Sequence, residues 1–119
     1  MSLTAPISIG ELIDKITILA IKLLKIKNTT ALENIEKEFA FLTNLNKWPE
    51  ICTRELYDVN NKIWEVEDEL RELEKIKDFG PNFIALARSV YILNDKRAVI
   101  KRDMNLKFSS DIVEEKSYQ

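Results

Sequence analysis

Over residues 52–76 the apolar side chains fall at Cys52, Leu56, Val59, Ile63, Val66, Leu70 and Leu73, in steps of 4, 3, 4, 3, 4 and 3. A strand would put every second residue on one face, whereas this spacing draws one narrow seam along a helix. Glu, Lys and Arg take most of the intervening positions, so the other faces are solvated. At 1.5 Å per residue such a helix is about 38 Å long, and a helix with a single apolar seam does not hold its shape alone in water. Other helices have to lie along it, and the chain has to supply them.

The chain has 119 residues, enough for one domain (1–119) to bury a core without covalent staples. Only 2 Gly and 3 Pro are present, which favours long helices joined by short turns. A net charge of −2 argues against nucleic acid as a partner held by a global basic surface. The single cysteine has no disulfide partner within the chain, and a cytoplasmic setting fits. No histidine occurs, which removes histidine acid–base catalysis, the serine triad built on it and the usual zinc sites. Residues 16–26, the most apolar run, contain Lys22 and Lys25 and are too short to span a bilayer. No charged leader precedes a cleavable apolar stretch, and Met1-Ser2-Leu3 has the look of a vector remnant.

Three further helices can be read off. Ser8 and Glu11 form a capping box, followed by a stripe of Ile9, Leu12, Ile16, Leu19, Leu23 and Ile26. Ile13, Ile18, Ala20, Ile21 and Leu24 lie off that stripe, so this helix is apolar nearly all round. It is either central in the fold or shared with a second subunit. It should end near Lys27. Thr30 and Glu33 form a second capping box, opening a shorter helix with Leu32, Ile35, Phe39, Leu42 and Leu45. Trp48-Pro49 closes that helix, and Pro49 starts the long one. The long helix stops at Asp78-Phe79-Gly80-Pro81, where Gly80 is expected to take a left-handed cap. The fourth helix, residues 82–105, has its own seam: Phe83, Leu86, Val90, Leu93, Arg97, Ile100 and Met104. Residues 106–119 show no sustained period and read as a tail. The expectation is an all-α, antiparallel up-down-up-down four-helix bundle with a longer third and fourth helix.

Arg97 is the one charge in that seam. Asn94, Lys101 and Asn105 stack on neighbouring turns of the same face, with Tyr91 on the flank. In an antiparallel bundle the end of the fourth helix lies near the start of the first, where Glu11 and Asp14 are available. A charge taken into a seam must be paired, so an Arg97 bridge to Asp14 or Glu11 that sets helix register is the simpler reading. The alternative is a pocket for a carboxylate or phosphate, for which arginine is the best bidentate donor. The tail is expected to fold back on the bundle. Ile112, Val113 and Tyr118 would anchor it, and Glu114 or Glu115 would pair with Arg97, Lys101 or Arg102.

Glu33-x-x-Glu36 and Glu65-x-x-Asp68 resemble the Mg²⁺ ligands of the all-α nucleotide pyrophosphohydrolases. Hard carboxylate oxygens suit that ion. Glu65 and Asp68 nevertheless lie opposite the Val59–Ile63–Val66 seam, so a solvated face is the better reading, and no cofactor is expected outside that alternative. Tyr57 and Trp64 lie seven residues apart on one flank of the long helix and suggest an association surface. Lys96, Arg97, Lys101, Arg102 and Lys107 cluster without any RNA-binding signature, which leaves weak RNA binding as a third idea. Cys52 is simplest as a small core residue.

Four blocks carry a resemblance: SIGELIDKITILAIKL (8–23), VNNKIWEVEDELRELE (59–74), FIALARSVYILNDKRAVIKRDMN (83–105) and SSDIVEEKSY (109–118). Together, and above all through GELIDKITIL, NDKRAVIK and EEKSY, they resemble an uncharacterised family of small helical bacterial and phage-associated proteins, a domain of unknown function. The resemblance implies no reaction and no catalytic residues. It does imply that Glu11, Asp14 and Lys15, then Asn94, Asp95, Arg97 and Lys101, then Glu114 and Glu115, belong to one constellation. The functional expectation is a non-catalytic helical interaction module, a homo-oligomer or the binder of a protein partner. The competing expectation is the Mg²⁺-dependent pyrophosphohydrolase.

Overall fold

Ser8 opens the first helix as its sequence suggests: its backbone is extended (φ −70°, ψ 155°) and its hydroxyl accepts the Glu11 amide at 3.1 Å. The computed structural model describes residues 1–44 and 50–116, apart from the side chains of residues 50–52. Over these residues the chain is an all-α four-helix bundle of α1 (Ile9–Lys25), α2 (Thr29–Thr43), α3 (Glu50–Lys75) and α4 (Pro81–Lys107). The third and fourth helices, at 26 and 27 residues, are the long pair. Leu45, the Trp48-Pro49 turn, the Cys52 side chain and Tyr118 lie outside the described residues.

The apolar first helix is central. It packs against α2, α3 and α4, and α3 packs along α4. Leu12, Ile13, Ile16, Leu19 and Ile21 are all buried, so α1 spends most of its apolar surface inside its own chain. Ile13 joins Leu56, Val59, Ile63, Val66, Leu93 and Met104 in the main core, which uses the seams of α3 and α4 as their spacing requires. Farther from α1 the two long helices are held by the half-buried Leu70, Leu86 and Val90. Among the described residues α2 touches only α1, and Ile35 is its one buried side chain.

Two ends differ from the sequence expectation. Asn28, not Thr30, caps α2, with its side-chain oxygen accepting the Ala31 amide at 2.9 Å. Gly80 is not left-handed: at φ −77° it is extended and precedes α4. Lys77 takes the left-handed position instead (φ 57°), so that the Asp78 amide reaches the Leu73 carbonyl at 2.9 Å and the Lys77 amide reaches Glu74 at 3.1 Å. This is the paired hydrogen-bond pattern that usually recruits glycine. Ser109 (φ 53°) repeats the pattern at the end of α4, with the Ser110 amide on the Asn105 carbonyl at 2.8 Å. That second turn sends the tail back toward α1.

Candidate functional site

The first turn of any α-helix exposes amides that have no partner within the helix. In α1 they are closed from far along the chain. The Ile9 amide donates to Ser110 Oγ at 3.1 Å, and the Gly10 amide donates to Asn105 Oδ1 at 2.7 Å. The Ser8 hydroxyl accepts the Glu11 amide, and the Ser8 carbonyl takes the Leu12 amide at 3.1 Å as the first bond of the helix itself. This seal requires α1 and α4 to touch backbone to backbone. A Cβ built on Gly10 would lie 2.5 Å from the Lys101 carbonyl oxygen.

One turn further, Asp14 is 1% exposed. The Arg97 guanidinium grips it through two donors: Nε donates to Oδ1 at 2.9 Å, and Nη2 donates to Oδ2. Asn60 of α3 adds a bond to Asp14 Oδ1 at 2.9 Å and a second to the Thr17 hydroxyl at 3.0 Å. Lys101 binds Glu11 at 2.5 Å and stands 3.8 Å from Asp14. The hydrogen bond with Asp14 raises the Arg97 pKa against the opposing effect of burial, and the charges of Asp14, Glu11 and Glu67 add to it. Two buried polar side chains, Asp14 and Asn60, thus tie three helices together at one level.

The tail completes this end of the bundle. The Ser8 hydroxyl donates to Glu114 Oε1, and the Asn105 amide donates to Glu114 Oε2 at 3.2 Å. A carboxylate of the chain itself therefore sits at the positive end of α1. Burial pushes the Glu114 pKa up, but the bonds from Ser8, its own amide and Asn105, with the charge of Lys101, outweigh it and hold the group below the usual glutamate value. A depressed carboxylate contributes docking strength above its unfolded pKa, about 4.3, and loses it as pH falls through the lower folded value. Amide exchange should show tail residues 110–116 losing protection on acidification from about pH 6 to about pH 3, while the core amides of α3 and α4 hold. Glu114→Gln should flatten that dependence.

A family model matches residues 3–119. The chain belongs to DUF6165, a family of unknown function. No curated protein and no solved structure matches it.

In this DUF6165 protein the three short strings singled out in the sequence meet at one end of the bundle. Glu11 and Asp14 come from the first, Asn94, Arg97 and Lys101 from the second, and Glu114 and Glu115 from the third. Asn94 is turned back on its own helix. It donates to the Val90 carbonyl at 3.1 Å and accepts from Arg97 at 3.5 Å. Glu115 pairs with Arg102 at 2.8 Å, with both groups largely in solvent. Tyr91 stands apart, 56% exposed on the outer side of α4. A cavity of about 510 Å³ opens between α4 and the tail, lined in part by Asn94, Arg97, Lys101, Asn105, Glu114 and Glu115.

The four carboxylates of the Mg²⁺ pattern are not gathered. Glu33 and Glu36 are exposed on α2 and Glu65 and Asp68 on α3, two helices that do not touch among the described residues. Asp68 faces Arg71 at 3.9 Å, and Glu65 accepts from Asn61 at 3.2 Å. Among the described residues no group of three or more metal-type ligands exists, and no helix is long and apolar enough to cross a membrane. Tyr57 and Trp64 are only half-exposed. Sequence reasoning missed Asn60, Thr17 and Ser110. Asn60 directly follows the seam residue Val59, so a polar side chain at the edge of an apolar seam was the available sign.

Proposed function

We propose that this chain is a non-catalytic helical interaction module that works as a homo-oligomer, with the Asp14–Arg97 cluster setting helix register. The observation that carries this is the outer face of α4. Ile84, Tyr91, Ile92, Val99 and Leu106 are 55%, 56%, 47%, 59% and 60% exposed. Apolar residues on that scale, in line on one helix and opposite the core face, mark an association surface more often than an idle one. The chain's total accessible surface agrees: 8727 Å², against about 6,700 Å² for a compact monomer of this mass. The exposed residues 1–7, the side-mounted α2 and the outer face of α4 all add to it.

An anion site at Asn94, Arg97, Lys101 and Asn105 is the weaker reading. Arg97 is held by Asp14, Lys101 by Glu11, Arg102 by Glu115 and Lys116 by Asp95 at 3.7 Å, so each base around the cavity meets a carboxylate of the chain itself. Sedimentation or light scattering at high micromolar concentration is expected to give a dimer or larger species. A strict monomer, or nucleoside triphosphate hydrolysis with Mg²⁺ or Mn²⁺, would overturn the proposal.

A further inference from the structure

We infer that the outer face of α4 pairs antiparallel with the same face of a second copy, in the register that sets Arg88 opposite Asp95 of the second copy. This rests on the oligomeric reading above and specifies its surface. The outer stripe runs through Ile84, Arg88, Tyr91, Asp95, Val99, Arg102 and Leu106, in steps of 4, 3, 4, 4, 3 and 4, with Ile92 beside it. Leu93 and Met104 mark the opposite, buried side of the same helix. α4 therefore has two seams, and among the described residues the other helices of its chain cover only the inner one, while the tail meets the outer one at Asp95 and Arg102.

The charges within the outer stripe select the pairing. A parallel, in-register pair would stack Arg88, Asp95 and Arg102 on their own copies, which places like charges together at three levels. An antiparallel pair centred on Asp95 brings Asp95 against itself and Arg88 against Arg102. Moving the centre to the gap between Tyr91 and Ile92 removes both conflicts. Arg88 then faces Asp95 of the second copy twice, Ile84 faces Val99, and Tyr91 faces Ile92.

One other antiparallel register, centred between Ala98 and Val99, would set Asp95 opposite Arg102. Arg102 already has Glu115 of its own tail at 2.8 Å. Arg88, in contrast, has no ion pair among the described residues. Asp95 touches Lys116 at 3.7 Å, and a carboxylate has acceptor capacity for a second cation.

The test uses charge reversal at these two positions, read by sedimentation, with circular dichroism to establish that each variant folds. Arg88→Asp and Asp95→Arg should each weaken self-association at least tenfold. An equimolar mixture of the two variants should recover it, because each reversed charge then meets its complement, and native mass spectrometry should show the mixed dimer in excess over either homodimer. Val99→Glu should also dissociate the pair. Leu106→Glu, beyond the helix overlap in this register, should leave the constant within about twofold. A wild-type chain that is monomeric sinks the oligomeric reading itself. A wild-type dimer that tolerates both reversals, fails to prefer the mixed dimer or depends on Leu106 leaves that reading standing and overturns this surface and register.

Discussion

Replacing Arg97 by alanine is expected to lower the stability of the fold by about 3 kcal/mol, while Arg102→Ala should cost less than about 1 kcal/mol. Both arginines sit on α4 and both pair with a carboxylate, so their environments make the difference. Asp14 is 1% exposed and cannot turn to water once the guanidinium is gone. Asn60 keeps one of its oxygens, and Lys101 at 3.8 Å keeps some opposite charge nearby, which places the cost toward the lower end of that for breaking a buried pair. Arg102 and Glu115 have side chains 46% and 74% exposed, where screening and side-chain entropy cancel most of the attraction. Urea unfolding of the two variants beside the wild type reads the difference directly, at a matched m-value. Equal losses would mean that Asp14 finds solvent after all.

Gly10→Ala should also destabilise, by about 2 kcal/mol, although alanine is the better helix former. The added methyl would meet the Lys101 carbonyl oxygen at 2.5 Å, and that atom belongs to the α4 backbone. No rotamer change relieves the contact. α1 has to move away from α4, and the 2.7 Å bond between the Gly10 amide and Asn105 weakens with it. Thermal unfolding should show a drop of several degrees, and tail amides should exchange faster in the native state. A rise in stability would show that the two helices are not held at this distance.

Much of the fold could be read from the residues because it depends on periodic burial. The steps of 3 and 4 from Leu56 to Val66 place the core face of α3, and the apolar surround of α1 correctly left it central or shared. What spacing could not supply was which side of α1 takes α2. The expected up-down-up-down order also does not say that α2 leans on α1 alone. Arg97 was visible as the wrong residue in a seam, and antiparallel packing narrowed its partner to Asp14 or Glu11 without choosing between them. Asn60 and Ser110 were not visible in this way, since each acts through bonds to groups far along the chain. The left-handed residues at Lys77 and Ser109 were missed for a related reason. The hydrogen bonds of a helix end can hold a lysine or a serine there, and Gly80 stood close enough to draw the expectation away. The outer seam of α4 escaped because a helix apolar on two opposite sides shows only a blurred period, and the inner seam accounted for the strongest positions.

The closure of α1 has a consequence for the order in which the chain acquires structure. Ile9, Gly10 and Ser8 wait for Ser110, Asn105 and Glu114, partners separated from them by 101, 95 and 106 positions. During synthesis the α1 segment leaves the ribosome well before these partners, and until they follow its opening amides have only water to bond. α3 and α4, joined by a short turn, can zip together without waiting for any distant segment. Of these four helices, the first is therefore the last to have its end closed, by residues made about a hundred positions after it.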